Sequence, residues 1–166
     1  MDVKTGALVT IVSAPGYDPN AFTTTVTPAL WKQLNEDPLK PLLNKAITGL
    51  YPPGSTFKPI TALAGLASGR MSPTARVHCS GSVALGNHVF HCWKKGGHGS
   101  MDMHSAIKNS CDVYFYECAR RAGIDEIAKM CHKFGLGQTY GLEIPGEKSG
   151  LVPDPEWKQR RMKDIW

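Results

Sequence analysis

Tyr51-Pro52-Pro53-Gly54-Ser55-Thr56-Phe57-Lys58-Pro59 runs directly into Ile60-Thr61-Ala62-Leu63-Ala64-Gly65-Leu66-Ala67. A proline-glycine turn delivers the backbone to Ser55, and an Ala/Leu-rich run predicts a helix from there to near Gly69. Pro59 is compatible with that helix, because a proline in the first turn removes an N–H that has no intrahelical partner. Ser55 then lies at a helix N-terminus, where unpaired N–H groups and the positive dipole end favour a developing negative charge. Lys58 is three positions on, so the two side chains share a helix face. A serine hydroxyl needs a base to become a nucleophile, and a lysine amine can be that base when burial disfavours its charged form. Ser-x-x-Lys is therefore an acylation device in two residues. The competing reading is a capping serine beside a surface lysine, and a bare Ser-x-x-Lys would favour it.

The chain has 166 residues, enough for one domain with a real core. Its 42% hydrophobic and 20% charged content is ordinary for a soluble globular protein. The net charge of +5 raises nucleic acid as a partner, but the basic residues are scattered apart from Arg160-Arg161-Met162-Lys163, which favours a solvated surface. No run reaches the length of a membrane span, and no basic-then-apolar signal region opens the chain.

Ala7 to Val12 is rich in β-branched residues and predicts a short strand. The preceding Lys4-Thr5-Gly6 reads as a turn feeding it. Thr27 and Pro28 read as N-cap and first helical residue of a helix to about Asn35. From Val77 to Ser100 the texture shifts to Gly, His, Cys and small polar residues. There Gly86-Asn87 joins Ser82–Leu85 to His88–His91 as a β-hairpin, a subdomain over residues 77–100 among helices. Asp102 caps a helix to about Asn109. A further apolar helix through Val113, Tyr114, Phe115 and Cys118 stops at Gly123. Asp125 caps the next, with Ile127, Met130, Cys131 and Phe134 on its buried face. Asp154-Pro155 starts a last helix carrying Trp157.

Between two of these helices stands Ser110-Cys111-Asp112, 55 residues after Ser55. By itself such a triplet is an ordinary helix cap. The ungapped Pro53-Gly54-Ser55-Thr56-Phe57-Lys58-Pro59, however, resembles the active-site serine motif of class B penicillin-binding proteins, and Ser110-x-Asp112 resembles their second motif. Ser13-Ala14-Pro15-Gly16-Tyr17-Asp18-Pro19-Asn20 is similar to the segment that opens their transpeptidase domains. Trp93 to Gly99 and Gly150 to Lys158 look like the elongation-type branch, penicillin-binding protein 2. The resemblance runs from Asp2 to Trp166. It implies an α/β fold, the N-terminal part of a penicillin-recognising serine transpeptidase, with a helical cluster around the Ser55 helix. It also implies a D,D-transpeptidase that cross-links peptidoglycan stem peptides through an acyl-enzyme and reacts with β-lactams. Ser55 would be the nucleophile, Lys58 its base, Ser110 the proton relay and Asp112 the orienting group. The Ser55 N–H would supply half an oxyanion hole. The family's third box, a Lys-Thr-Gly strand, is expected downstream of Trp166, so these residues are expected to be inactive alone. The family further implies a membrane-anchored enzyme on the periplasmic face of the inner membrane, with glycan-polymerising and cell-shape membrane proteins as partners and no nucleic acid. Two alternatives remain open: a β-lactam sensor or β-lactamase-like protein, and a non-enzymatic zinc-hairpin interaction module.

Five cysteines leave one unpaired under any full disulfide scheme. Cys79, Cys92, His98 and Cys111 are separated by twelve, five and twelve residues. A turn at Gly86-Asn87 makes paired positions sum to 173, so Cys92 faces Gly81, two residues from Cys79. Cys111 can point away from Ser110 and Asp112 toward this hairpin mouth. Three cysteines and a histidine form a common structural zinc set. A Cys79–Cys92 disulfide and plain buried thiols compete with it, and His78, His88 and His91 are further ligand candidates. Cys118 and Cys131 fall on apolar helix faces and read as core.

Overall fold

The Thr27 hydroxyl accepts the Leu30 N–H at 3.2 Å, and Pro28 follows in the first turn, which starts α1 (Pro28–Glu36) where the sequence places it. The computed structural model describes residues 1–23 and 25–163; the Trp166 end of the family resemblance lies outside them. They divide into two compact units, one of Met1–Tyr51 with Thr139–Lys148 and one of Pro52–Gln138 with Ser149–Trp166.

The first unit is mostly irregular chain. Besides α1 it holds, among the described residues, a 3-10 turn at Pro19–Phe22 and a short helical turn, α2 (Lys45–Thr48), and Ile47 of the latter is buried. The Ser13 hydroxyl donates to the Leu43 carbonyl at 3.2 Å and accepts the Lys45 N–H at 2.9 Å, tying the start of the chain to α2. Lys4-Thr5-Gly6 is a turn, with the Lys4 and Thr5 N–H groups on the Asp2 carboxylate. The strand expected over residues 7–12 is absent: that stretch has no ladder partner among the described residues. Val9 and Val12 are exposed there, so β-branched composition had no neighbour to pair with and no face to bury.

In the second unit a 3-10 turn at Gly54–Phe57 leads without a break into α3 (Lys58–Ala67), so the α-helix proper begins three residues later than expected. Its buried face is Thr61, Ala62, Ala64 and Gly65. The small residues let neighbouring helices approach closely. A Cβ built on Gly65 would stand 2.8 Å from the Cys118 sulfur and 3.1 Å from Met71, so glycine is required at that contact.

Two antiparallel ribbons follow. β1 (Val77–Cys79) pairs with β4 (Gly99–Met101), and between them β2 (Ser82–Leu85) pairs with β3 (His88–His91) around Gly86-Asn87. Ser82 faces His91 and Leu85 faces His88, the expected register. The Cys92 N–H donates to the Gly81 carbonyl at 2.8 Å, continuing that register by one pair.

Asp102 accepts the Ser105 N–H at 2.9 Å and starts α4 (Met103–Lys108). α5 (Asp112–Ala122) buries Val113, Tyr114, Phe115, Cys118 and Ala122 and stops at Gly123. α6 (Ile124–Lys133) begins one residue before Asp125, which sits in its first turn rather than at its cap. Ala128 and Cys131 are its buried residues; Phe134, expected on that face, is exposed because it stands at the C-cap, past the last helical residue. Asp154 caps α7 (Pro155–Met162) through the Trp157 N–H. The fold is mixed α/β, with α3 packed against α5 and α6 and the core running from Ala62 through Met71 and Ala106 to Cys118.

Candidate active site and cysteine–histidine cluster

The 3-10 turn holding Ser55 has no side-chain cap, so the Ser55 hydroxyl is not used as a helix cap. It accepts instead from the Ser110 hydroxyl at 2.9 Å. The Ser110 hydroxyl in turn accepts from the Lys58 ammonium at 2.8 Å, so Lys58 is joined to Ser55 through Ser110. Lys58 also donates to the Ser110 carbonyl at 2.8 Å and to Asp112 Oδ1 at 2.6 Å. Its side chain is 13% exposed and that of Asp112 22%, so the ion pair is largely out of water. Burial pushes the Asp112 carboxyl up, but the Lys58 ammonium and the Trp93 N–H outweigh it and hold the group below its ordinary value.

The geometry at Ser110 follows from how α4 ends. The Ser110 N–H returns to the Ile107 carbonyl at 3.1 Å and the Cys111 N–H to the Ala106 carbonyl at 2.9 Å. This double return is a Schellman ending, and its residue past the cap takes the left-handed conformation usually given to glycine. Here that residue is Ser110, with φ of +51°. The reversal sends the Ser110 hydroxyl to Ser55 and Lys58 while Cys111, fully buried, turns into the core. Asp112 is then the first residue of α5, where a carboxylate suits the helix dipole.

Cys111 arrives beside the ribbons. Its sulfur, those of Cys79 and Cys92, and a ring nitrogen of His98 all lie within 4.8 Å of one another. The register explains the meeting. Cys79 ends β1 opposite Gly99, so His98 enters just before the paired residue, and Cys92 leaves β3 one step past its last pair. A Cβ on Gly97 would run into the Cys79 carbonyl, and φ of +75° there makes the turn that delivers His98. His98 Nδ1 is 3.5 Å from the Cys92 sulfur and 3.7 Å from that of Cys79. Those two separations match the edges of a tetrahedral zinc site, ~3.5–3.8 Å from ordinary Zn–S and Zn–N bonds, and with all four donors inside 4.8 Å the set suits the metal after a small contraction. His98 Nε2 is buried without a hydrogen-bond partner. His78, His88 and His91 are exposed and outside the cluster. All five cysteines are free thiols, with Cys118 and Cys131 buried in the helical core.

The family model for the penicillin binding protein transpeptidase domain matches residues 1–164. The chain belongs to that family. It is 41% identical to the peptidoglycan D,D-transpeptidase MrdA of Acinetobacter baumannii, over all of this chain and 25% of that protein. The chain thus spans about a quarter of the length of that curated relative. Among solved structures it is similar to Pseudomonas aeruginosa PBP2 in complex with WCK 5153, with a TM-score of 0.84 and 42% identity over 93% of this chain and 34% of that one. It is likewise similar to Helicobacter pylori PBP2 in its complex with MreC, with a TM-score of 0.86 and 34% identity over 92% of this chain and 29% of that one. These relatives support the elongation-type branch within the penicillin-binding proteins.

Sequence reasoning used Trp93 only as a marker of that branch. In the structure its backbone N–H donates to Asp112 Oδ2 at 2.9 Å, and its indole N–H reaches the carbonyls of Asn109 and Ser110, each at 3.1 Å. The available signal was its place beside Cys92, at the exit of the hairpin.

Proposed function

We propose that this chain is the nucleophile-bearing part of a peptidoglycan D,D-transpeptidase that joins stem peptides by serine acyl transfer. The observation that carries this reading is the hydrogen-bond chain Lys58–Ser110–Ser55, with Lys58 anchored on Asp112. A capping serine beside a surface lysine has no use for such a chain. In the resting arrangement Lys58 is an ammonium and donates. Activation inverts the order: after the ammonium has given one proton to solvent, the Lys58 amine accepts from Ser110, and Ser110 accepts from Ser55, since both hydroxyls can rotate. Ser55 Oγ then bonds to the scissile carbonyl carbon of a stem peptide, the carbon–nitrogen bond breaks, and the proton returns along the same path to the leaving amine. An acceptor amine later displaces Ser55 and forms the cross-link.

The same serine would be acylated by β-lactams. The family resemblance supports a location on the periplasmic face of the inner membrane, although no helix among the described residues is long and apolar enough to cross a membrane. Cell-shape and glycan-polymerising membrane proteins are the partners this reading implies, and the Helicobacter pylori relative, solved as a complex with MreC, supports a protein partner. Cys79, Cys92, His98 and Cys111 would hold a structural zinc, which supplies a cross-link rather than chemistry at Ser55 because four protein ligands leave no open position.

The test uses the full-length protein carrying this sequence, treated with a labelled penicillin and mapped by mass spectrometry. The adduct is expected on Ser55. A label on another serine, or undiminished labelling of Ser55→Ala, overturns the reading.

A further inference from the structure

Trp93 is 65% exposed, so burial of its ring does not account for its position. Its two N–H groups are nevertheless both committed. The indole N–H is shared between the Asn109 and Ser110 carbonyls, the end of α4 where carbonyls have no helical partner. The backbone N–H holds Asp112 Oδ2, leaving Oδ1 for Lys58. Two donors from one residue thus grip both sides of Cys111, across the peptide whose φ of +51° aims the Ser110 hydroxyl. The ring also meets His98 edge-on, with centroids 5.3 Å apart. Trp93, which follows Cys92 in the chain and meets the His98 ring, is therefore one link between the cysteine–histidine cluster and the serine–lysine network, beside the covalent link through Cys111.

We propose that Trp93 is a positioning residue for acyl transfer: its two N–H groups fix the Asn109–Asp112 turn so that Ser110 meets Lys58 and Ser55 together. The inference rests on the transpeptidase reading above. Without the indole N–H, the Ser110 carbonyl keeps only Lys58, and the turn gains freedom to rotate its hydroxyl away. The cost falls on the chemical step, because Trp93 is argued to act through Ser110 and Asp112 rather than on the substrate.

The test compares the full-length wild-type protein with Trp93→Phe, and with a variant carrying β-(3-benzothienyl)alanine at position 93, which keeps the shape of tryptophan but replaces the N–H by sulfur. Both keep the backbone N–H. Time courses of penicillin acylation over a range of concentrations separate the first-order acylation constant from the apparent dissociation constant. The expected result is an acylation constant lower by about three- to tenfold in both variants, the usual worth of one hydrogen bond, with apparent dissociation constant and melting temperature unchanged. A merely structural role would move the melting temperature instead. Should Trp93→Phe lower the melting temperature, the benzothienyl variant decides. An unchanged acylation constant in the benzothienyl variant, or a loss confined to the dissociation constant, overturns the inference alone. A wild-type protein that takes no label on Ser55 overturns the transpeptidase reading and this inference with it.

Discussion

Ser110 meets the Lys58 ammonium twice, through its carbonyl oxygen and through its hydroxyl, each at 2.8 Å. A single residue can present both groups to one cation because its backbone is left-handed. That conformation is unfavourable for a side chain with a Cβ and persists where surrounding bonds determine it, as they do here through the two returns to α4.

The strain and the chemistry at Ser110 are separable. Ser110→Gly and Ser110→Ala remove the same hydroxyl, but glycine accepts the left-handed backbone and alanine does not. Chemical denaturation should show the glycine variant more stable than the alanine variant by about 1 kcal/mol. Both should lose acylation by a similar factor, measured as labelling rate in the full-length protein. Equal stabilities would show that the positive φ carries no cost.

Close packing of α3 on α5 gives a second prediction. Gly65 leaves no room for a Cβ beside Cys118 and Met71, and overpacking a dense core costs about 1–3 kcal/mol. Alanine's better helix propensity alone favours the substitution by about 1 kcal/mol, so Gly65→Ala should lower stability by a net amount of up to about 2 kcal/mol. A denaturation midpoint at or above the wild-type value would show that the two helices can separate without loss.

Most of the second unit was legible from the sequence because local signals agreed with one another there. Asp102 and Asp154-Pro155 are caps with their own side-chain chemistry, as Thr27-Pro28 is in the first unit, and each starts a helix. Gly86-Asn87 set the hairpin register, and with it the approach of Cys92 to Cys79. The misread strand over residues 7–12 had composition but no partner, and pairing is a tertiary matter that composition does not report. The left-handed backbone of Ser110 and the bonds of Trp93 were hidden for different reasons. The left-handed turn at Ser110 is unannounced because the residue that usually marks it is glycine. The three hydrogen bonds donated by Trp93 cross 16 to 19 residues of chain, a separation no local pattern encodes.

The acid limb of stability should carry a signature of Glu117. Its carboxylate takes Arg120 at 2.8 Å and Arg121 at 2.6 Å, and these partners hold its pKa down to about 2 from an ordinary 4.5. A depressed carboxyl contributes stability that is complete above its unfolded value and is lost as pH falls through the folded one. The contribution should therefore fade between about pH 4.5 and 2. Both arginines are at least partly exposed, so solvent screening keeps the contribution of each pair small. Glu117→Gln should flatten the stability profile in that window. A parallel profile, displaced but equally steep, would mean the pairs contribute nothing.

Removal of metal gives the last prediction. The hairpin offers few buried apolar side chains, and such a segment needs a staple. A zinc on Cys79, Cys92, His98 and Cys111 would provide it, with three thiolates and a neutral imidazole leaving a net charge of −1 around the metal. Cys111 lies between Ser110 and Asp112, so the same metal would brace the catalytic turn from behind. Protein purified without chelator should contain one zinc per chain by elemental analysis. Stripping a metal held a thousandfold above its dissociation constant removes about 4 kcal/mol, a fall in melting temperature of roughly 10 °C for a chain of this size. Cys118→Ser should leave the metal in place, since Cys118 is buried away from the cluster, whereas Cys111→Ser should weaken it and slow acylation of Ser55 in the full-length protein. A Cys79–Cys92 disulfide found by mass spectrometry, with no metal and no chelator-sensitive melting, would falsify the zinc site.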